Sequence, residues 1–365
     1  MFFHSFTGSL LRFCNFFLAK LQIGLYTLFI THPQRQGKDK EDPDMKMKKM
    51  LSLALILAMM LSMAACGAAG SSKMTMGTGS TTGTYYAFGG ILGQYIKNNA
   101  GIDVTVVSTD GSKANIESIA AGDYQLGLVQ SDVMAYAWAG NRSFESTGKI
   151  NSFRVVAGLY AEAVQLVTMD PEIKSVADLK GKNVSIGAPG SGVYFNAIDV
   201  LAAADMTEDD INAQYQSFGD STDALKDGKI DAAFIVAGSP TPAITELCTT
   251  NSAYLVPIDG DIADKLMADC PFYTVYTIPA ETYPGQTEDI ATVTVKATMI
   301  VSAAASEEDV YNLTKAIFDN TAAIAKENGK GAELSIENAT TGMSAPFHAG
   351  AARYFAEQGV TVPTE

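Results

Sequence analysis

Two stretches, MGTGSTTGTYYA at residues 76–87 and IGAPGSGVYFNA at 186–197, share one design. Each runs from a short strand through a glycine-rich loop to a glycine, a β-branched residue and two aromatics that open a helix. Gly83-Thr84-Tyr85-Tyr86 aligns with Gly192-Val193-Tyr194-Phe195. A glycine-rich turn into a helix presents backbone N–H groups without intrahelical acceptors at the positive end of the helix dipole, a ready place for an anion. Two copies in separate parts of the chain predict two lobes whose helix starts face one cleft.

The surrounding pattern agrees. KMTMGTG (73–79) predicts a strand, and Tyr85, Phe88, Leu92, Tyr95 and Ile96 then recur at helical spacing. VTVVST (104–109) predicts a strand, SKANIESIAAG (112–122) a helix, and YQLGLVQSD (124–132) a strand ending in polar residues. This is the βαβ rhythm of a parallel sheet with loops at the carboxyl ends of its strands. After the apolar run FRVVAGLYAEAVQLVTM (153–169) the rhythm restarts with NVSIGA, PGSG and a helix carrying Tyr194, Ile198, Leu201 and Met206. DALKDGKIDAAFIVAG and AYLVPID follow as further units. Residues 272–303 are extended, then a long helix is predicted through Val310, Leu313, Ile317 and Ile324, and a closing one in FHAGAARYFAEQG. The expected fold class is α/β, with residues 73–160 as the first part of lobe I, 161–271 as lobe II, and 272–365 returning to lobe I.

Other readings of the glycine loops fail on spacing. Gly77 to Gly83 holds one residue too many for the dinucleotide pattern GxGxxG, and Gly181-Lys182-Asn183 lacks the upstream glycine and the hydroxyl of a phosphate loop. No GxSxG surrounds Ser191.

Upstream, MKMKKMLSLALILAMMLSMAACG (45–67) has a lysine-bearing start, an apolar run from Leu51 to Met60, and small residues before a cysteine, which is a bacterial export signal. The run is shorter than the roughly 18 residues that span a bilayer. Residues 45–65 are therefore a cleaved signal peptide, with Cys66 the expected lipidation site and 66–72 a flexible tether; plain cleavage after Ala64 or Ala65 is the alternative. Residues 1–44 read as untranslated leader, because Lys40-Glu41-Asp42 can encode a purine-rich ribosome-binding run just ahead of Met45. A membrane segment over residues 16–30 would have to bury Lys20, which is costly.

From Cys66 on, the chain carries 17 Lys/Arg against 36 Asp/Glu, net −19, which disfavours nucleic acid and anionic lipid headgroups as partners. Its single histidine, His348, and the lack of HExxH or CxxC spacing leave no metal motif and little room for histidine-based catalysis. The remaining cysteines, Cys248 and Cys270, can form a disulfide in an exported protein or remain as buried thiols. Only three arginines remain, Arg142, Arg154 and Arg353, none of them in a glycine loop. A bound carboxylate would then rest on N–H groups and hydroxyls instead of an arginine fork. Candidate ligand contacts are Thr82, Gly83, Thr84, Tyr85, Ser112, Asn115, Gln130, Ser131, Gly190, Ser191 and Gly192. Asp132 is placed either to receive an ammonium group or to cap the helix that follows.

GTGSTTGTYYAFGG, DGSKAN, LGLVQSD, GAPGSG, DAAFIVAGSP, TIPAETYPGQ and PFHAGAARYFAEQG, in this order, span most of residues 73–359. Together they resemble the TAXI class of solute receptors of tripartite ATP-independent periplasmic (TRAP) transporters. Val193 and Ala349 depart from the pattern, which usually has Thr and Pro there. The resemblance implies a two-lobed type II periplasmic-binding-protein fold with the ligand cleft between lobes, no catalysis and no cofactor. It implies delivery of a small organic acid or amino acid, such as glutamate, 2-oxoglutarate or another dicarboxylate, to a TRAP membrane permease subunit. The expected location is extracytoplasmic, with membrane contact through the lipid anchor only. A ligand-sensing module of a signalling system is the alternative use of the same fold. If Cys66 is acylated, Cys66→Ala removes the main membrane affinity. Fractionation should then find the variant in the medium; retention on the membrane would exclude the anchor.

Overall fold

The computed structural model describes residues 72–365. The expected leader, signal peptide and Cys66, with all of the tether but Ser72, lie outside the described residues.

Strands β1 (Lys73–Gly77), β2 (Asp103–Val107) and β3 (Leu126–Gln130) alternate with helices α1 (Thr84–Ala100) and α2 (Ser112–Ala121). The strands pair in parallel as β2-β1-β3. Helix α1 forms because Phe88, Leu92 and Ile96 share a buried stripe, and it stops at Gly101, whose φ of 70° is the left-handed cap that glycine adopts without cost. Helix α3 (Ser131–Ala139) follows β3 without a connecting loop. Ser131 and Asp132, expected at a polar strand end, are thus the first turn of a helix.

The long strand β4 (Phe153–Thr168) leads to β5 (Asn183–Ser185), α4 (Val193–Ala203), β6 (Asn212–Gln214), α5 (Phe218–Lys226) and β7 (Ala232–Ala237). Then come α6 (Pro242–Thr250), β8 (Tyr254–Val256), α7 (Gly260–Asp269) and β9 (Thr274–Ile278). A second long strand, β10 (Ile290–Ser302), returns the chain to the first three strands, and α8 (Glu307–Phe318), α9 (Thr321–Glu327), α10 (Ile336–Thr340) and α11 (Ala349–Glu357) complete it. The predicted long helix is divided between α8 and α9, where Asn320 leaves helical geometry and turns its amide onto the Ala316 carbonyl.

Strand order is β2-β1-β3-β10-β4-β7-β5-β6, with β8 on β4 and β9 on β10. Strands β4 and β10 run antiparallel and belong to both halves of the sheet. The C-terminal end of β10 pairs with β3 over Ala297–Val301, and its N-terminal end with β9 over Ile290–Thr294. The C-terminal end of β4 pairs with β7 from Ala163 on. The changeover falls near residues 161–163 and 294–297, where the register of β10 on β4 shifts between Lys296 and Thr298, a bulge that adds local twist.

Each half has its own core. Met76, Phe88, Leu128, Val133, Val155, Leu313 and Phe355 belong to the first. In the second half, alternate residues of β4 and β7 serve opposite faces of the sheet, as strand geometry requires: Val164, Leu166, Phe234 and Val236 join one cluster, Ala163, Val167, Ala233 and Ile235 the other. That alternation also separates the two cysteines, whose sequence reading left both a disulfide and free thiols open. Cys270 sits in the first of these clusters and Cys248 against the second, and both are free thiols. Among the described residues, no helix is long and apolar enough to cross a membrane. Alkylation of the denatured, unreduced protein should label both Cys248 and Cys270; a mass two hydrogens lower with both unlabelled would contradict this arrangement.

Candidate functional site

The starts of four helices and the residue ahead of a fifth converge between the halves. Gly83 and Thr84 begin α1, Gly111 and Ser112 begin α2, Gly192 and Val193 begin α4, Ser217 and Phe218 begin α5, and Gln130 precedes α3. All of these line one cavity of ≈ 60 Å³. In α1 and α2 no side chain caps the helix start, and in α4 the Ser191 hydroxyl accepts from the Tyr194 N–H at 3.4 Å. The first N–H groups of Thr84, Ser112 and Val193 have no acceptor among the described residues. Each helix end contributes a partial positive charge of about half a unit, so the cavity is electropositive without a cation.

Among the described residues no Lys, Arg or His lines the cavity; its charged residues there are Asp110, which is exposed, and Glu162, 2% exposed. Glu162 lies at the changeover on β4, and the Tyr85 hydroxyl donates to its Oε2 at 2.6 Å. Burial pushes Glu162 up to about 8, partly opposed by the Tyr85 bond, so in this state it is mainly protonated at neutral pH. Burial first, and Glu162 second, hold the Tyr85 hydroxyl protonated. Two further buried side-chain oxygens at the cavity, Gln130 Oε1 and Gln216 Oε1, have no partner among the described residues. The site thus offers backbone donors from its helix starts and side-chain acceptors from Glu162 and the two glutamines.

The halves meet at this cavity. The Ala114 N–H donates to the Gly190 carbonyl at 3.1 Å, the Ala243 N–H to Thr82 O at 3.1 Å, and the Thr84 hydroxyl to Gly238 O at 2.9 Å. Glycine is required at 192 by close approach: a Cβ there would lie 1.7 Å from Gln130 Oε1. Gly111, at φ 114°, holds a backbone conformation that favours glycine, and a Cβ there would lie 3.5 Å from the Ser191 Cα.

Of the residues expected from sequence, Gly83, Thr84, Tyr85, Ser112, Gln130, Ser191 and Gly192 are brought to the cavity. Thr82 and Gly190 flank it and spend their carbonyls on contacts between the halves. Asn115 is buried, its Nδ2 donating to Thr78 O and Leu128 O, so it braces the β1 and β3 ends. The Ser131 hydroxyl accepts from the Lys296 N–H at 3.2 Å and lines a separate cavity with Phe272, Glu333 and Asn338. Asp132 is fully buried and does not line the cavity. Its carboxyl stands against the backbone N–H of Val133 and accepts from Asn196 Nδ2 at 3.0 Å.

Sequence reading missed Glu162, Gln216, Phe218, Val236 and Ala237. Glu162 had a signal, since a lone carboxylate in the sixteen-residue strand FRVVAGLYAEAVQLVT is buried on one face or the other and is kept there for a reason. The others carried none.

The chain is thus an α/β protein of two halves, joined by shared strands and enclosing a small polar cavity between them. Residues 76–359 match the profile of the NMT1-like family, and the chain belongs to that family. Among solved structures it is similar to the alkanesulfonate-binding protein SsuA from Xanthomonas axonopodis pv. citri bound to MOPS, at 18% identity and TM-score 0.46, covering 80% of this chain and 92% of that one. A putative L-cystine ABC transporter from Listeria monocytogenes matches at 16% identity and TM-score 0.44, over 72% and 98%. The GluR0 ligand-binding core from Nostoc punctiforme in complex with L-glutamate matches at 15% and 0.41, over 73% and 98%.

Because a side chain at 192 collides with Gln130 across the cleft and with no core residue, Gly192→Val should hold the halves apart while leaving the fold intact. Small-angle scattering should show a larger radius of gyration at an unchanged melting temperature; an unchanged radius would place the closing contact elsewhere.

Proposed function

We propose that this chain is the extracytoplasmic solute-binding subunit of a TRAP-type transporter. It captures a small carboxylate-bearing solute, of the kind of glutamate or 2-oxoglutarate, and delivers it to a membrane permease. The observation that supports a carboxylate is the convergence of helix starts, with unpaired N–H groups at α1, α2 and α4, on a cavity that no basic side chain lines. An anion placed there is held by backbone donors in a fixed geometry, and burial between the halves strengthens each bond by excluding water. Tyr85 supplies an aromatic wall, and Glu162, Gln130 and Gln216 stand ready for donor groups on the rest of the solute. The TRAP assignment rests on the ordered motifs of residues 73–359, and the lipid anchor on Cys66.

Thermal unfolding and calorimetry with a panel of mono- and dicarboxylates, amino acids and sulfonates test the reading. A saturable acid at a hundred times its dissociation constant should add about 2.7 kcal/mol of apparent stability. Ser112→Ala and Tyr85→Phe should each weaken that acid by about 1 kcal/mol or more, the former through a lost hydroxyl, the latter through a lost anchor on Glu162. Absence of stabilisation by every carboxylate would overturn the solute class. Uptake into permease-bearing vesicles that survives ATP depletion and collapses with the ion gradient would support the TRAP type; the converse would oppose it.

A further inference from the structure

The halves are also fastened outside the cavity. One helical turn beyond Gly192, Asn196 of α4 donates through Nδ2 both to Asp132 Oδ2 of α3, at 3.0 Å, and to the Tyr273 hydroxyl, at 2.8 Å. Tyr273 passes its own proton to Asp199 Oδ2 at 3.1 Å, and Asp199 pairs with Arg142 at 2.9 Å. Asp132 and Asn196 are fully buried and Asp199 nearly so. Phe195, between the two cavity and clasp positions on α4, packs into the first half's core against Tyr136.

The charges in this cluster do not balance. The titratable groups that act on Asp132 or are acted on by it are Asp199 from α4, Glu162 from β4, Tyr136 from its own helix, and Cys270 and Tyr273 from the segment between α7 and β9. The one cation, Arg142, is committed to Asp199 and lies over the Tyr136 ring at 5.1 Å. Lys296, whose backbone neighbours α3, turns its ammonium to the carbonyls of Asn338 and Thr341 at 3.0 Å. Of the two buried carboxyls, Asp199 therefore has the guanidinium and Asp132 has none. Asp132 Oδ1, Asn196 Oδ1 and Tyr136 Oη have no partner among the described residues. A proton on Asp132 removes the uncompensated charge and gives the cluster a donor for its orphaned oxygens.

We propose that Asp132 is a proton-operated clasp between the halves: closing the cleft takes a proton onto Asp132, and its ionised form favours the open cleft. This uses only the closing motion and is independent of which solute fills the cavity.

The sign follows from burial. In the closed form burial pushes Asp132 up to about 7, against an ordinary value of 3.8 when hydrated in an open form. Closing is thus strongest at low pH, weakens as pH rises from about 4 to about 7, and levels off above that, where Asp132 is ionised in both forms. Within the window each pH unit changes the closing equilibrium by up to tenfold. Glu162 faces the same cleft and adds a proton of its own, so the clasp is isolated in a Glu162→Gln background.

Small-angle scattering of solute-free protein from pH 4.5 to 8.5 reads the ratio of compact to extended forms. In Glu162→Gln the ratio should fall by up to tenfold per pH unit up to about 7 and then level. Adding Asp132→Asn, which fixes the neutral state, should leave the protein compact at every pH. Arg142→Gln, which strips Asp199 of its cation, should steepen the dependence by making Asp199 a second proton acceptor. A flat profile in Glu162→Gln, an unchanged slope on adding Asp132→Asn, or an unchanged slope in Arg142→Gln would each overturn the proposal. Failure of every carboxylate in the solute panel would leave these profiles as they are and bear on the solute alone.

Discussion

The structure depends on two strands that refuse to belong to either half. β4 and β10 lie side by side through both parts of the sheet, so the backbone hydrogen bonds of one half are continued in the other. A break in either strand would leave ladder donors and acceptors unpaired in a buried place, which is costly enough to keep the strands continuous. The halves are therefore joined through this pair, whose register shifts at the bulge beside Lys296. Side chains at the changeover, Glu162 foremost, form the floor of whatever the halves enclose.

That geometry explains why the cavity relies on helix starts. In a parallel sheet every strand's carboxyl end feeds a loop and then a helix start, so β1, β2 and β3 send the N-termini of α1, α2 and α3 to one edge. β5 and β6 do the same with α4 and α5 from the facing half. Each helix start favours an anion by about 0.3–1 kcal/mol when exposed, and more when partly buried. Several acting on one small volume compete with a single arginine while requiring no charged side chain to be desolvated. The glycines at 111 and 192 let the two sets of loops approach closely enough for that sum to be felt.

Against this positive field stand carboxyls that the fold buries. Glu162 in the cavity and Asp132 beside it are both held near their neutral forms by loss of water, in a chain that is strongly acidic from Cys66 on. The same desolvation that sharpens the backbone donors makes these acids responsive to pH. Closing the cleft and moving a proton are then two descriptions of one exclusion of water.

The repeated design of 76–87 and 186–197 made the two-lobed α/β class and five cavity-lining residues legible, because a glycine turn into an amphipathic helix is a local property written in local residues. Of the short stretch LGLVQSD, Gln130 lines the cavity while Ser131 and Asp132 do not: a strand that turns directly into a helix swings successive side chains about a third of a turn apart, so neighbours in sequence face different surroundings. Cys248 and Cys270 are close in sequence yet lie on opposite faces of one sheet, which no spacing rule reveals. Sequence alone determined the class of fold, the loops that present backbone donors, and the absence of an arginine to replace them. Only the tertiary structure decided that Glu162 floors the cavity, that Gln216 and Phe218 complete it, and that Asp132 lies against Asn196 and Asp199. Those relations join residues from different elements, and what brings them together is the packing of two cores about two shared strands.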